Sequence, residues 1–276
     1  MSEQQAHDGF TLPAIGLGTY RLNGVAGAEA VSAALRGGYR LVDSAFNYEN
    51  EGAVGRGVRD SGVDRAEIIV TSKLPGRHHG FDAALRTIEE SVYRTGLEAI
   101  DLYLIHWPNP VTDRYVEAWR ALVEARERGL VGAIGVSNFL PEHLERIEAE
   151  TGVRPVVNQI ELHPFFPQEE ALAYHRERGI VTEAWSPVGR GGEVQRHPAV
   201  QRIASAHGVS PVEAILAWHV ARGAVPLPKS QDPGRQSENL AAAGIVLSAD
   251  EVAAITALGR PAGRLNDQDP AVYEEF

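Results

Sequence analysis

Several side chains able to carry charge stand where apolar runs stop, and the first is Asp43, at the close of Arg40-Leu41-Val42-Asp43. A carboxylate at the end of a buried strand is costly to desolvate unless a cation meets it. The candidate cation is Lys73, which ends the next apolar run. Tyr48 lies between them, in a short polar loop ahead of a helix predicted to begin near Asn50. An ammonium beside a phenol favours the phenolate and eases proton release, whereas an unpaired Lys73 would be a Schiff-base amine. Taken singly, Asp43 reads equally well as a loop cap and Tyr48 as a packing aromatic. The pattern recurs down the chain, however: His106, Ser137 with Asn138, Gln159, Trp185 with Ser186, and Lys229 with Ser230 each close an apolar run. A whole ring of such residues is hard to explain as capping alone.

The elements that must position this ring are short and regular. The apolar runs are 14–18, 40–43, 68–73, 100–106, 131–137, 155–159, 180–185 and 224–228. They lack alternation, as expected of parallel strands covered on both faces. Between them the period becomes helical: Phe81, Ala84, Leu85, Ile88 and Val92 share one face, and Tyr115, Trp119 and Leu122 give another. Ser210 with Glu213 and Ser248 with Glu251 have the spacing of capping boxes, and Pro141 and Pro167 fit first-turn positions. Eight strand-helix units predict an α/β fold, a (β/α)8 TIM barrel forming a single domain over residues 1–276. The absence of a Gly-x-Gly-x-x-Gly after any run disfavours an open dinucleotide-binding sheet. Such a barrel carries its chemistry at the carboxyl ends of its strands, where the ring lies.

Composition narrows the classes. The 276-residue chain has no cysteine, which excludes disulfides and thiolate metal sites and suits a reducing cytoplasm. Its formal net charge of −11, with Lys and Arg dispersed, disfavours nucleic acid as a partner. The polar N-terminus does not read as a secretory signal, and no apolar segment nears the roughly 20 residues of a membrane helix. There is no Gly-Lys-Ser/Thr phosphate loop, no serine-hydrolase elbow around Ser137, and no His-Glu-x-x-His. The pair His78-His79 reads as loop surface or pocket rim, not as metal ligands.

Three spaced motifs carry a resemblance. They are Gly38-Tyr39-Arg40-Leu41-Val42-Asp43-Ser44-Ala45 followed by Tyr48, Asn50-Glu51 and Gly55; Gly135-Val136-Ser137-Asn138-Phe139 with Asn158-Gln159; and Leu227-Pro228-Lys229-Ser230 followed by Arg235 and Glu238-Asn239. In these, from about Gly9 to the tail, the chain resembles the aldo-keto reductases. Its size and the segment Gly189-Arg190-Gly191-Gly192 are similar to the compact bacterial branch that includes 2,5-diketogluconate reductases.

The resemblance implies a cytoplasmic, monomeric reductase of aldehydes or ketones, with NADPH/NADP+ as cofactor. It implies a catalytic set of Asp43, Tyr48, Lys73 and His106. Tyr48 would donate the proton that a forming alkoxide needs, Lys73 would ease its release, Asp43 would hold Lys73 charged, and His106 would orient the carbonyl. Ser137, Asn138 and Gln159 are implied for the nicotinamide carboxamide, Trp185 for stacking on the ring, and Ser186 and Val188 for the pyrophosphate path. Lys229, Ser230 and Arg235 are implied for the 2′-phosphate, and Glu238 and Asn239 for the adenine. Gly18, Thr19 and Tyr20 are expected to touch the cofactor, and Tyr20, Phe46 and Trp107 to frame the substrate pocket. Two other classes stay in view: a barrel lyase or aldolase using Lys73 as a Schiff-base amine, and a nucleotide-sensing binding protein on the same fold. The substrate itself is not fixed by these residues.

Overall fold

In the computed structural model, which describes residues 3–276, the apolar runs form one parallel sheet. A small antiparallel hairpin comes first, β1 (Gln4–Gln5) and β2 (Thr11–Leu12). The parallel strands follow as β3 (Leu17–Gly18), β4 (Leu41–Asp43), β5 (Ile69–Leu74), β6 (Ile100–Ile105), β7 (Val131–Ser137), β8 (Val157–Glu161), β9 (Val181–Trp185) and β10 (Ala224–Pro226). Each pairs with its neighbour in sequence. Gly16 N donates to Pro226 O and Gly18 N to Pro228 O, both at 3.1 Å, and these bonds join first strand to last. The chain thus forms the expected (β/α)8 barrel.

The strands are shorter than the apolar runs where proline intervenes. Pro155 and Pro228 have no N–H to give a ladder, so β8 starts at Val157 and β10 stops at Pro226. The hairpin was not foreseen, because two residues per strand leave no periodicity to read. Its role is visible in the core: Leu12 and neighbouring Ala6 pack with Leu41, Leu102, Leu104, Val157, Val181 and Val225, plugging the barrel floor.

Side-chain parity explains how the site is placed. In a strand, residues i and i+2 share a face. The residues facing the barrel interior include Leu41, Ile69, Leu102, Leu104, Ala133, Val157, Val181, Val225 and Leu227. Moving up the same parity gives Asp43, Thr71 and Lys73, His106, Ser137, Gln159, Glu183 and Trp185, and Lys229. Each strand is therefore apolar at the floor and polar at the mouth. The opposite parity, such as Tyr103, Ile105, Ile134 and Val136, packs under the helices. Position 135, of the same inward parity, has no room for a side chain: a Cβ there would meet Leu104 at 2.7 Å and the Val157 carbonyl at 2.8 Å, so glycine fits.

The helices begin largely where their chemistry indicated. Ser210 and Ser248 each accept from the backbone N–H of a glutamate whose carboxylate reaches back, in helices Pro211–Ala221 and Ala249–Thr256. Pro141 opens Pro141–Thr151. Pro167 does not open a helix, since Gln168 turns to φ 52° and the helix starts at Glu169. Ala84, Leu85 and Ile88 are buried as the helical face predicts, while Phe81 at its start stays partly exposed. Among the described residues no helix is long and apolar enough to cross a membrane.

Candidate active site

Asp43 and Lys73 form the buried ion pair that their positions suggested. Lys73 Nζ lies 2.6 Å from Asp43 Oδ1 and donates to Ser44 O at 2.7 Å, with the lysine side chain wholly buried. Burial, the largest single influence, would lower the lysine pKa, but Asp43, Tyr48 and Glu183 together outweigh it and the pKa is raised. Lys73 is therefore held as an ammonium.

Tyr48 occupies the short 3-10 turn Phe46–Tyr48 after β4, and its ring centroid is 5.0 Å from Lys73 Nζ. Here one expectation is corrected. Burial raises the phenol pKa by more than the Lys73 cation lowers it, so the net shift is upward. The proton is easier to release than it would be without Lys73, yet it is firmly held at neutral pH. The turn is fixed from below by Asn50, whose side-chain amide donates to Thr19 O at 2.7 Å and Leu22 O at 3.2 Å while its Oδ1 accepts from Ser44.

His106 follows β6, its ring centroid 5.9 Å from that of Tyr48. Trp107 beside it is buried, edge-on to Trp185 at 6.4 Å and against Tyr273 at 4.5 Å. Tyr20 is half exposed and edge-on to Tyr48 at 5.2 Å. Phe46 is close by but less open: the Arg94 and Arg77 guanidiniums lie 4.0 and 5.6 Å from its centroid.

The residues expected to hold a nicotinamide are adjacent and already interlinked. Ser137 Oγ donates to Gln159 O at 2.8 Å, and Asn138 Nδ2 donates to Ser137 Oγ at 2.9 Å and His106 O at 3.0 Å. Trp185 Nε1 donates to Asn138 Oδ1 at 2.7 Å. Both amide protons of Gln159 are used, on Asp43 Oδ1 at 2.9 Å and Glu183 Oε2 at 2.8 Å, leaving its Oε1 to accept from a ligand. Asn138 and Ser186 turn at φ 62° and 50°, left-handed conformations that turn the chain sharply at two strand ends. Gly18 and Thr19 are buried; Thr19 Oγ1 donates to Asp43 O at 2.8 Å. Val188 is half-buried between two of the clusters under the helices.

Lys229 and Arg235 are exposed, Ser230 and Asn239 buried, and Glu238 exposed, around the start of helix Pro233–Ala241. Among the described residues Lys229 has no ion-pair partner, and Arg235 is 3.9 Å from Asp232. Two weakly committed cations at a helix start are a donor set that fits a phosphorylated ligand, although Asp232, the N-cap, puts a carboxylate at the same end.

Three features escaped the sequence reading. Glu183 is buried among Gln159, Asp43 and Lys73, and burial with Asp43 raises its pKa to about 8, so its carboxyl is mostly neutral at pH 7. Alternation within 181–185 would have placed it on the inner face. Glu275 of the tail reaches the His106 ring, a long-range contact without a local signal. His79 is not loop surface: it is 1 % exposed, and burial depresses its pKa to about 4.

The "Aldo/keto reductase family" model matches residues 14–260. The chain belongs to the aldo/keto reductase family. It is 52% identical over 270 residues to 2,5-diketo-D-gluconic acid reductase B of Corynebacterium sp. (strain SHS752001), covering 98% of this chain and 97% of that protein. A mutant of Gox0644 solved in complex with NADPH superposes with a TM-score of 0.93 at 44% identity, over 99% of this chain and 98% of the other. A Bombyx mori aldo-keto reductase solved with NADP gives a TM-score of 0.90 at 32% identity, over 99% and 98% of the two chains. The reductase fold, the parity of its strands and the Asp43–Lys73 pair thus converge on an oxidoreductase.

Proposed function

We propose that this single-domain barrel is a monomeric, cytoplasmic NADPH-dependent reductase of small aldehydes or ketones, with Tyr48 as the proton donor. The observation that carries the reading is the buried Lys73 ammonium, 2.6 Å from Asp43 and 5.0 Å from the Tyr48 ring. When bound, NADPH supplies the hydride. The residues of the chain do the rest. Tyr48 gives its proton to the oxygen as negative charge builds there, and the Lys73 cation stabilises the phenolate left behind. Asp43 keeps Lys73 charged, and His106 faces the same oxygen beside Tyr48. Trp107, Trp185, Tyr20 and Tyr273 offer aromatic walls that exclude water. Ser137, Asn138, Gln159, Trp185, Ser186 and Val188 are the residues we assign to the nicotinamide half. Lys229, Ser230, Arg235, Glu238 and Asn239 take the adenosine half, and Gly18, Thr19 and Tyr20 the near edge. The likeness to 2,5-diketo-D-gluconic acid reductase B supports keto sugar acids as the first substrates to try.

A charged Lys73 speaks against the Schiff-base alternative, which needs a neutral amine. The test is a panel of aldehydes, ketones and keto sugar acids assayed by loss of NADPH absorbance, together with borohydride trapping in the absence of cofactor. The reading expects NADPH-dependent turnover of at least one carbonyl and no lysine adduct. A trapped adduct on Lys73 with no NADPH consumption would overturn it.

A further inference from the structure

The tail returns over the catalytic face and is fastened there by backbone and side chain. Tyr273 lies against Trp107, and the Glu274 carboxylate accepts from Val111 N at 2.7 Å and Thr112 N at 3.2 Å. Asn109 clamps Glu275 from both sides, its Nδ2 donating to Glu275 O at 2.8 Å and its Oδ1 accepting from Glu275 N at 3.0 Å. The Glu275 carboxylate is thereby aimed inward. Oε2 accepts from Gly76 N at 3.0 Å, Oε1 accepts from Asn47 Nδ2 at 2.8 Å, and Oε1 lies 2.7 Å from His106 Nδ1. Burial would raise this carboxyl pKa, but His106, Gly76 N–H and Asn47 together bring it below the ordinary value, so it is a carboxylate at neutral pH.

That contact limits where His106 can keep its proton. A carboxylate has no hydrogen to give, and its negative charge 2.7 Å from Nδ1 favours the form of the ring that carries its N–H there. Nδ1 makes no aligned hydrogen bond among the described residues, so the pair is a close charge contact. Nε2, on the far side of the ring, makes no hydrogen bond among the described residues. A neutral imidazole has a single N–H. With that proton on Nδ1, neutral His106 offers only a lone pair from Nε2 and cannot donate to a carbonyl oxygen.

We propose that Glu275 is a positioning residue which holds the His106 proton on Nδ1, so that the neutral ring turns a bare Nε2 to the reacting oxygen and only a doubly protonated ring can donate to it. The inference rests on the proposed reading in which His106 faces the reacting oxygen. His106 lends a hydrogen bond and consumes no proton of its own; the proton that ends on the alcohol comes from Tyr48. The charged and titratable groups around it are these. Tyr48 comes from the turn after β4, with Lys73 and Asp43 behind it. Arg77 and the neutral His79 come from the loop after β5, and Glu274 and Glu275 from the tail. The loop Trp107–Asn109 adds no charge.

The test is 15N NMR of the full chain labelled at histidine, with the His106 signals identified by their loss in His106→Asn. With the ring neutral, the parent is expected to show a protonated Nδ1 and a bare Nε2. In Glu275→Gln the neutral ring is expected to move to Nε2–H, with Glu275→Asp intermediate. In the same variants kcat/KM for carbonyl reduction should reveal the split. Glu275→Gln, whose neutral ring can donate from Nε2, should keep several-fold more of its kcat/KM in alkaline solution than the parent keeps, while its Kd for NADPH is unchanged. A parent ring with the neutral proton on Nε2, or a tautomer unmoved by Glu275→Gln, overturns the proposal. The parent spectrum decides this without any substitution. If no carbonyl in the panel is reduced, the functional reading fails while the tautomer result stands separately.

Discussion

Tyr48, Lys73 and Asp43 can be separated by substitutions that each remove one property. Tyr48→Phe keeps the ring and deletes the acid, so turnover should fall by about a hundredfold or more, the range for losing a positioned proton donor. The NADPH dissociation constant should hardly change. Turnover within tenfold of the parent, with a primary deuterium isotope effect showing that hydride transfer limits the rate, would remove Tyr48 from the role. Lys73→Met strips the cation that opposes burial, and the already raised Tyr48 pKa should climb further. Because Asp43 and Lys73 share one contact, Asp43→Asn and Lys73→Met should be strongly non-additive in kcat/KM. Simple additivity in that cycle would mean the two act separately.

At the scale of elements, close approach and capping carry the predictions. A Cβ on Gly55 would sit 1.7 Å from the Thr95 carbonyl, where helix Glu51–Ser61 crosses the end of Phe81–Thr95. Backbone cannot yield as a side chain does, so Gly55→Ala should destabilise by about 1–3 kcal/mol or more, read from the urea midpoint. On helix Pro233–Ala241, Arg235→Ala should weaken NADPH at least about tenfold, at roughly 1.5–3 kcal/mol per charged hydrogen bond, and leave NADH unchanged. Tryptophan quenching gives both constants; equal losses would point to the adenine or the loop instead. Strands and helices of this kind were legible because buried runs, helical spacing and Ser/Glu caps are local signals. The ring of strand-end residues was legible because a barrel turns strand ends into one face. What stayed hidden was of another kind. The β1–β2 hairpin is too short to show a period, His79 is buried at a cavity it shares with a tail some two hundred residues away in sequence, and Glu275 earns its place only through the folded chain.

For the molecule as a whole, buried ionisable groups set how stability follows pH. Burial depresses the pKa of His79 and His175 to about 4 and of His219 to about 3, against about 6.5 in an unfolded chain. Groups with depressed folded values contribute stability above pH 6.5 and lose it as pH falls. Glu183 runs the other way: raised to about 8, its contribution is full at low pH and declines as pH rises from the ordinary carboxylate range to 8. Between about pH 4.5 and 6.5 three groups oppose one, each at about 1.4 kcal/mol per pH unit, so stability should rise with pH. Above 6.5 only the Glu183 slope remains among these four. Melting temperature should therefore peak near pH 6.5, and Glu183→Gln should flatten its decline towards pH 8. A parent curve still rising through pH 8 would contradict the Glu183 assignment.

The bonds from Gly16 and Gly18 to Pro226 and Pro228 tie together the two ends of the chain. During synthesis β3 is made first, yet its outer partner is made last. Until β10 emerges, one edge of β3 has no strand to pair with, and an open edge is a template for association with other chains. Closing the ring is also the most non-local step in the fold, which delays it relative to the local strand-helix units. The growing chain should accordingly be most prone to aggregate just before the last strand is complete, and fragments that stop ahead of Ala224 should be poorly soluble.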